Sequence, residues 1–467
     1  MPFIFILVII GVVLLLSITV NKIVFEGKWE WVVYFACFYF PFYTTILSIT
    51  WQASHLIWLV TLFKFLKEFV VIIAIISFLV YERNIFNYTL RINLTDKVLI
   101  IFLCIGILYL FLPLGGASFV DKALYLKNIL LLAAFYFFGR NSRMSEHEIS
   151  LLFKGIMMVT LFSFGVNVFE RVLDTHFQSF SGYSEFNSAI YNIEPSGHFN
   201  LSWTFETQAG AKRFASFFSD PLELAASSLL AFSTGLVWYL TKKREKANLY
   251  ILVMIVAAGG IFFSSSRASF AAFFFMLFFI AFIFKLNTLF KISAIIVLCF
   301  VIYVLAFANK DFYYFIYDTI TFQNASSIGH VVEWLIALDS MLQHPEGIGL
   351  AMSGNTSSVT DELRVGGENQ YLIFGVQMGF LGMILYILLL FNSIRICLKT
   401  FREVDNVMVA RVAFVACTVK FGLLLPLFTS NAENFLYVSL ISWWMVGYSV
   451  KTYNQIKLNP KTSLPVA

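Results

Sequence analysis

The sequence predicts an all-α, polytopic integral membrane protein, and three observations carry that expectation. Hydrophobic residues fill 60% of the 467 positions and charged residues only 13%, far from the balance of a water-soluble domain. Most apolar stretches run about sixteen to twenty-two residues, enough to cross about 30 Å of hydrocarbon at about 1.5 Å per residue. They are continuous rather than alternating, which excludes an outer-membrane barrel.

Residues 3–20 form the first span. No basic segment precedes them and no clear small-residue cleavage site follows, so they are expected to be a membrane helix rather than a signal peptide. From Trp31 to Val80 the apolar pattern is interrupted by Lys64, Lys67 and Glu68 and accommodates two helices or three. Further spans are expected near 98–114, 126–139, 150–170, 221–241, 247–263, 268–284, 289–308, 369–392, 411–429 and 435–450. That makes about twelve to fourteen membrane helices in one polytopic domain over 1–467. Two long polar loops interrupt it, at 171–220 and 309–367.

Basic residues give the orientation. Arg83, Arg91 and Lys97; Arg140 and Arg143; Lys242, Lys243, Arg244 and Lys246; Lys285 and Lys291; and Arg395, Lys399, Arg402 and Arg411 all fall on one side. Lys451, Lys457 and Lys461 join them, and the excess marks that side as cytoplasmic. Both long loops and the Ser264–Arg267 junction then meet on the extracytoplasmic face. The net charge of +5 is this topology signal rather than a nucleic-acid footprint. Cys37, Cys104, Cys299, Cys397 and Cys417 lie in or at the ends of apolar spans, which suggests neither a disulfide framework nor a metal-thiolate cluster.

The first long loop is rich in Ser, Asn, Phe and Tyr. Trp203, Phe205, Phe214, Phe217 and Phe218 suit an interfacial belt, which leaves the adjacent Lys212 and Arg213 unexplained. In the second loop, Ser326 or Ser327 is placed to cap a helix running to about Gln343. Ile328, Val331, Leu335, Leu338 and Leu342 form its apolar stripe, and His330, Glu333, Ala337 and His344 lie on another face. Pro345, Gly347 and Gly349 end it. The pattern predicts an amphipathic helix on the outer membrane surface, roofing a cavity between the spans.

Arg267, in FFSSSRASFAAFFF, is held close to the hydrocarbon, where an ionised side chain costs about 2.5–3.5 kcal/mol at the centre and less at the edge. An anionic ligand is one explanation, with Ser264, Ser265, Ser266 and Ser269 supplying hydroxyls and a helix N-terminus facing the anion. An interfacial arginine that snorkels to water is the other. Arg213 precedes another span on the same face, and two converging guanidinium groups suit a diphosphate. Glu368 opens a span in GGENQYL. It is either a general base toward a sugar hydroxyl or a helix N-terminal acid stabilised by the macrodipole.

His330 and Glu333 make an H-x-x-E without a third ligand, so no metal site is expected, and His330 is read as facing substrate or another loop. Arg364 is a mobile substrate contact or a solvated loop charge, and Lys212, Ser266 and Asn369 complete the candidate substrate-binding set. Lys420 stands alone near mid-span and Lys154 near a span end. No chain of acidic residues crosses the membrane, which argues against a proton-coupled carrier. The absence of a P-loop, a nucleotide fingerprint and a carboxylate pair in a soluble domain indicates no nucleotide or other cofactor.

Taken together, KRFASFFSDPLELA, SSSRAS, GHVVEWLIALDSMLQHPEGIGLA and ENQYLIFGVQMGFLG resemble, in order and spacing, the superfamily of O-antigen ligases and Wzy-type polysaccharide polymerases. The resemblance implies transfer of a glycan from an undecaprenyl diphosphate carrier to a glycan acceptor. It places the reaction at the outer face of the bacterial cytoplasmic membrane, without nucleotide. It implies that Arg213 and Arg267 grip the diphosphate and that Glu368 activates the acceptor hydroxyl. Membrane lipid, a chain-length regulator and a flippase are the partners it implies, and nucleic acid is not among them. Ligases typically carry a histidine at the position of Glu368, so the glutamate is more similar to polymerases. Ala215-Ser216 and Asp220-Pro221-Leu222 stand where a glycine and a Pro-Asn pair are common in the family. A polymerase is therefore expected, with a ligase as the alternative and, from a different class, a flippase or transporter of the lipid-linked glycan.

Overall fold

The computed structural model describes residues 2–82, 91–208, 210–242, 247–308, 310–321, 323, 325–354 and 364–458. Of the basic residues that set the expected orientation, Arg83, Lys243, Arg244, Lys246 and Lys461 lie outside these. Among the described residues the only β-type pairing is the isolated Glu206–Lys212 bridge, and the rest of the regular structure is helical.

Helices α1 (Pro2–Val20), α2 (Val32–Tyr39), α3 (Tyr43–Ser54) and α4 (Ile57–Tyr81) lead into α5 (Leu94–Phe111), α6 (Phe119–Arg140) and α7 (Glu146–Val172). The first long loop holds two short helices, α8 (Phe177–Ser181) and α9 (Tyr183–Tyr191). Then come α10 (Pro221–Thr241), α11 (Asn248–Ser264), α12 (Arg267–Ile283) and α13 (Asn287–Ala306). The second loop contributes α14 (Lys310–Ile320) and α15 (Ala325–Gln343), and α16 (Gln370–Glu403), α17 (Val407–Gly422), α18 (Leu424–Thr429) and α19 (Leu436–Leu458) complete the chain.

Nine helical stretches of the described residues are long and apolar enough to cross a membrane, and α11 and α12 are shorter apolar helices. The molecule is a multi-pass membrane protein. The ambiguous region resolves into two rods. One is a continuous helical stretch, Trp29–Ser54, and the other is α4, whose 25 residues reach about 37 Å despite its three charges.

Polar caps start the helices, because a backbone N–H left unpaired near lipid is costly. Asn93–Asp96 and Ser145–Glu148 form reciprocal capping boxes on α5 and α7, and Asp220, followed by Pro221, caps α10. Near the end of α6, glycine permits backbone-to-backbone approach of α6 and α19: a Cβ on Gly139 would strike the Trp444 carbonyl, and one on Gly447 the Tyr136 carbonyl.

Helix α16 is broken, contrary to the unbroken span its sequence suggests. Met378 and Gly379 leave helical geometry, Gly379 at φ +70°. The segment after α15 fills the break: Phe380 N donates to Pro345 O (3.1 Å), Ile348 N to Val376 O (2.8 Å) and Gly349 N to Gln377 O (3.1 Å). The Gln377 side chain accepts from Ala351 N and donates to Ser353 O. Backbone freed by the break is thus paired again, the condition for irregular structure at membrane depth. α15 itself begins at Ala325, before the expected cap, and its Leu335, Leu338 and Leu342 are exposed while Ala337 and Met341 pack inward.

Candidate active site

The first half of the site is built on the end of α7. The buried Glu170 carboxylate accepts from Phe177 N (2.9 Å) and Ser216 N (3.1 Å). Gln178 Nε2 donates to Ser216 O and Phe218 O, both at 2.7 Å, and Thr45 Oγ1 to Phe217 O. The buried ring of His176 sits among Phe199, Phe205 and Phe214 at 5.2–5.5 Å, and this burial pushes its pKa down to about 4. Glu170, His176 and Gln178 escaped the sequence reading. A carboxylate at the end of an apolar span was the signal available for Glu170.

This framework fixes Arg213. Its backbone N–H donates to Phe205 O, and its Nε donates to Ser264 O at 2.9 Å, drawing the guanidinium to the α11–α12 junction that carries Arg267. Burial, opposed by Asp220 and reinforced by the Arg267 charge, brings Arg213 down to about 10, so it is cationic at neutral pH. Arg267 is the first residue of α12 and half-buried. The junction turns at Ser265, with φ +48°, and the serines close it: Ser264 Oγ donates to Ile261 O, and Ser266 Oγ accepts from Ser269 N. Ser266, expected as a substrate donor, is 2% exposed and serves as the N-cap.

Lys212 points elsewhere. Its ammonium meets the Asp174 carboxylate at 2.8 Å and lies over the Phe199 ring, which secures the loop rather than extending the arginine pair.

In the second half, Val365 N donates to Met352 O and Gly366, at φ +62°, crosses α15. A Cβ there would lie 3.1 Å from Ala337 Cβ, so only glycine fits both the turn and the approach. The crossing brings the Glu368 carboxylate against His330 Nδ1. His330 also lies beside Trp334, whose ring packs on Phe428 of α18 at 4.6 Å. Asn369 caps α16, its Oδ1 accepting from Tyr371 N and Leu372 N, so that side chain too is occupied. Arg364 is half-buried at the start of the described return.

The eight candidates therefore sort into two pairs, Arg213 with Arg267 and His330 with Glu368, and supporting residues. The pairs share one face: α12 and α16 both begin there, and both pack on α18. Lys420, solitary in the sequence, has a buried partner beneath this platform. Its ammonium is 3.9 Å from Glu433 and lies over Trp443, while Glu433 accepts from Tyr386, Ser439 and Trp443.

Residues 252–387 match the family model described as O-antigen ligase, Wzy_C. The match covers Arg267, His330, Arg364, Glu368 and Asn369 and begins after Lys212 and Arg213. No curated protein matches the chain.

Proposed function

We propose that this membrane protein, with its O-antigen ligase (Wzy_C) domain at residues 252–387, polymerises lipid-linked oligosaccharide repeat units. The donor glycan rides on undecaprenyl diphosphate, the acceptor is a second lipid-linked repeat unit, and the reaction takes place at the outer face of the cytoplasmic membrane. The observation that carries the reading is the pairing of Glu368 with His330 on the face that also holds Arg213 and Arg267.

An acceptor hydroxyl oxygen attacks the anomeric carbon and the bond from that carbon to the carrier phosphate oxygen breaks. The diphosphate leaves with the electron pair. Arg213 and Arg267 meet the charge that develops on it, and fixed cations in a water-poor site stabilise such charge strongly. Glu368 takes the hydroxyl proton, and His330 holds the carboxylate in position. Removing the proton as the new bond forms spares the acceptor oxygen a positive charge.

The family's description favours a second reading, ligation of the finished glycan to a lipid or protein. Reconstituting the purified protein with lipid-linked repeat units alone separates the two. Elongation is the result expected of a polymerase, and no product until a different acceptor is added is the result that would replace it with a ligase.

A further inference from the structure

Away from the arginine pair, α4 and α6 carry a second cationic group with too little acid to balance it. Lys64, Lys67 and Glu68 occupy one face of α4 and are half-buried, and Lys127 of α6 meets Glu68 at 2.7 Å. The one carboxylate thus serves three ammonium groups. Lys67 turns to Tyr43, with Nζ 3.3 Å from the hydroxyl and 4.6 Å from the ring centroid, and Lys64 lies 4.5 Å over Tyr191 of α9. These aromatic contacts stabilise cations but add no negative charge.

The position of the cluster is as informative as its charge. Both helices begin on the face that carries the long loops: the α3–α4 corner packs Gln52 against Gly182 of the first loop, and Gly115, before α6, packs against Ile348 of the second. Counting from the helix starts, the Cα atoms of Lys64, Lys127 and Lys67 lie about 10, 12 and 15 Å along the axis. Helical side chains lean toward the N-terminus, here toward the loop face, which raises the ammonium groups toward headgroup level. Phe65 on α4, whose ring lies 5.6 Å from Lys127 Nζ, and Leu124 on α6 are exposed beside the cluster, as lipid-facing residues are. The cluster adjoins the Arg213 loop through the start of α3, where the ring of Phe42, the residue just before the helix, stacks on Phe217 at 4.1 Å.

We propose that Lys64, Lys67 and Lys127 form a lateral binding site for the phosphate headgroup of a membrane lipid, entered from the loop-side leaflet. Excess cations beside lipid-facing surface, on flexible stems that lean toward the headgroups, recognise a phosphate whose acyl or isoprenoid tail lies along α4 and α6. Such a phosphate has two sources, the diphosphate of a lipid-linked substrate and the bulk anionic phospholipid. The phosphate site itself does not depend on the glycosyl-transfer reading, and only its assignment to a substrate rests on it.

The test uses the full chain in nanodiscs of phosphatidylcholine containing either undecaprenyl diphosphate or phosphatidylglycerol, with bound lipid counted by native mass spectrometry. The comparison protein is Lys64→Gln/Lys67→Gln/Glu68→Gln/Lys127→Gln, which removes the acid together with its partners. The expected result is at least a tenfold drop in occupancy of one anionic-lipid copy, any undecaprenyl diphosphate held at Arg213 and Arg267 remaining bound. Loss confined to undecaprenyl diphosphate identifies a substrate site, and loss of phosphatidylglycerol identifies a phospholipid site. Equal retention of both lipids by the two proteins overturns the proposal. Should the quadruple variant not fold, Lys127→Gln alone serves, with about a threefold loss expected and no change again overturning it.

Discussion

In the first long loop the polar groups turn inward: Glu170 and Gln178 hold the backbone at 216–218, Asp174 holds Lys212, and the Ser264 carbonyl holds Arg213. In the second loop they turn outward, and the Glu368 side chain keeps 43% of its surface exposed beside His330. The contrast matches two chemical duties. A cation that stabilises a leaving diphosphate acts best when it cannot reorganise. A base must reach both a hydroxyl and an outlet for its proton, and burial with fixed partners would hinder that.

If this division of labour holds, the largest effect falls on the proton carrier. Glu368→Gln keeps size and capping geometry while removing the base, and chain extension is expected to drop about 10²–10⁴-fold at unchanged protein level, read from glycan length on gels. Full activity in this variant would remove Glu368 from the mechanism. Next come Arg213→Ala and Arg267→Ala, each expected to cost about 10²–10³-fold in extension while the protein still inserts. Normal glycan length and amount in both would discard the diphosphate role. Because Arg213 loses its proton only as pH rises through about 10, carrier binding should be flat from pH 6 to 9 and weaken above that.

Gly366→Val sharpens the comparison by moving one loop and leaving the other alone. The added side chain has no room against Ala337, so Glu368 is displaced, and about tenfold slower turnover with unchanged carrier affinity is expected. The smallest effect concerns His176. Its folded pKa of about 4 lies below the ordinary histidine value, so protonation favours the unfolded loop. Its contribution is complete above about pH 6.5 and is lost as pH falls toward 4. Hydrogen-exchange protection factors across residues 173–220, taken against the intrinsic rate at each pH, should fall over that range in the wild type and not in His176→Phe.

The sequence disclosed the class of the fold because lipid imposes long apolar helices, and it disclosed α15 because its apolar stripe and the Pro345-Gly347-Gly349 terminator are local. It did not disclose the break in α16, since Gly375, Gly379 and Gly382 read alike and only the distant Pro345 carbonyl selects Gly379. The occupied side chains were hidden for the same reason. Nothing near Lys212 announces Asp174, and the capping duties of Ser266 and Asn369 depend on where α12 and α16 start. Likewise Lys64, Lys67 and Glu68 register in the sequence only as an interruption, because Lys127, Tyr43 and Tyr191 come from other helices.

The division between a fixed diphosphate grip and an exposed base is tested most directly by measuring, on one set of purified proteins, both the affinity for undecaprenyl diphosphate and the rate of glycan transfer. The expected result is that Arg213→Ala/Arg267→Ala loses affinity at least tenfold, whereas Glu368→Gln binds like the wild type and does not turn over. Wild-type affinity in the arginine variant, or wild-type turnover in Glu368→Gln, would contradict it.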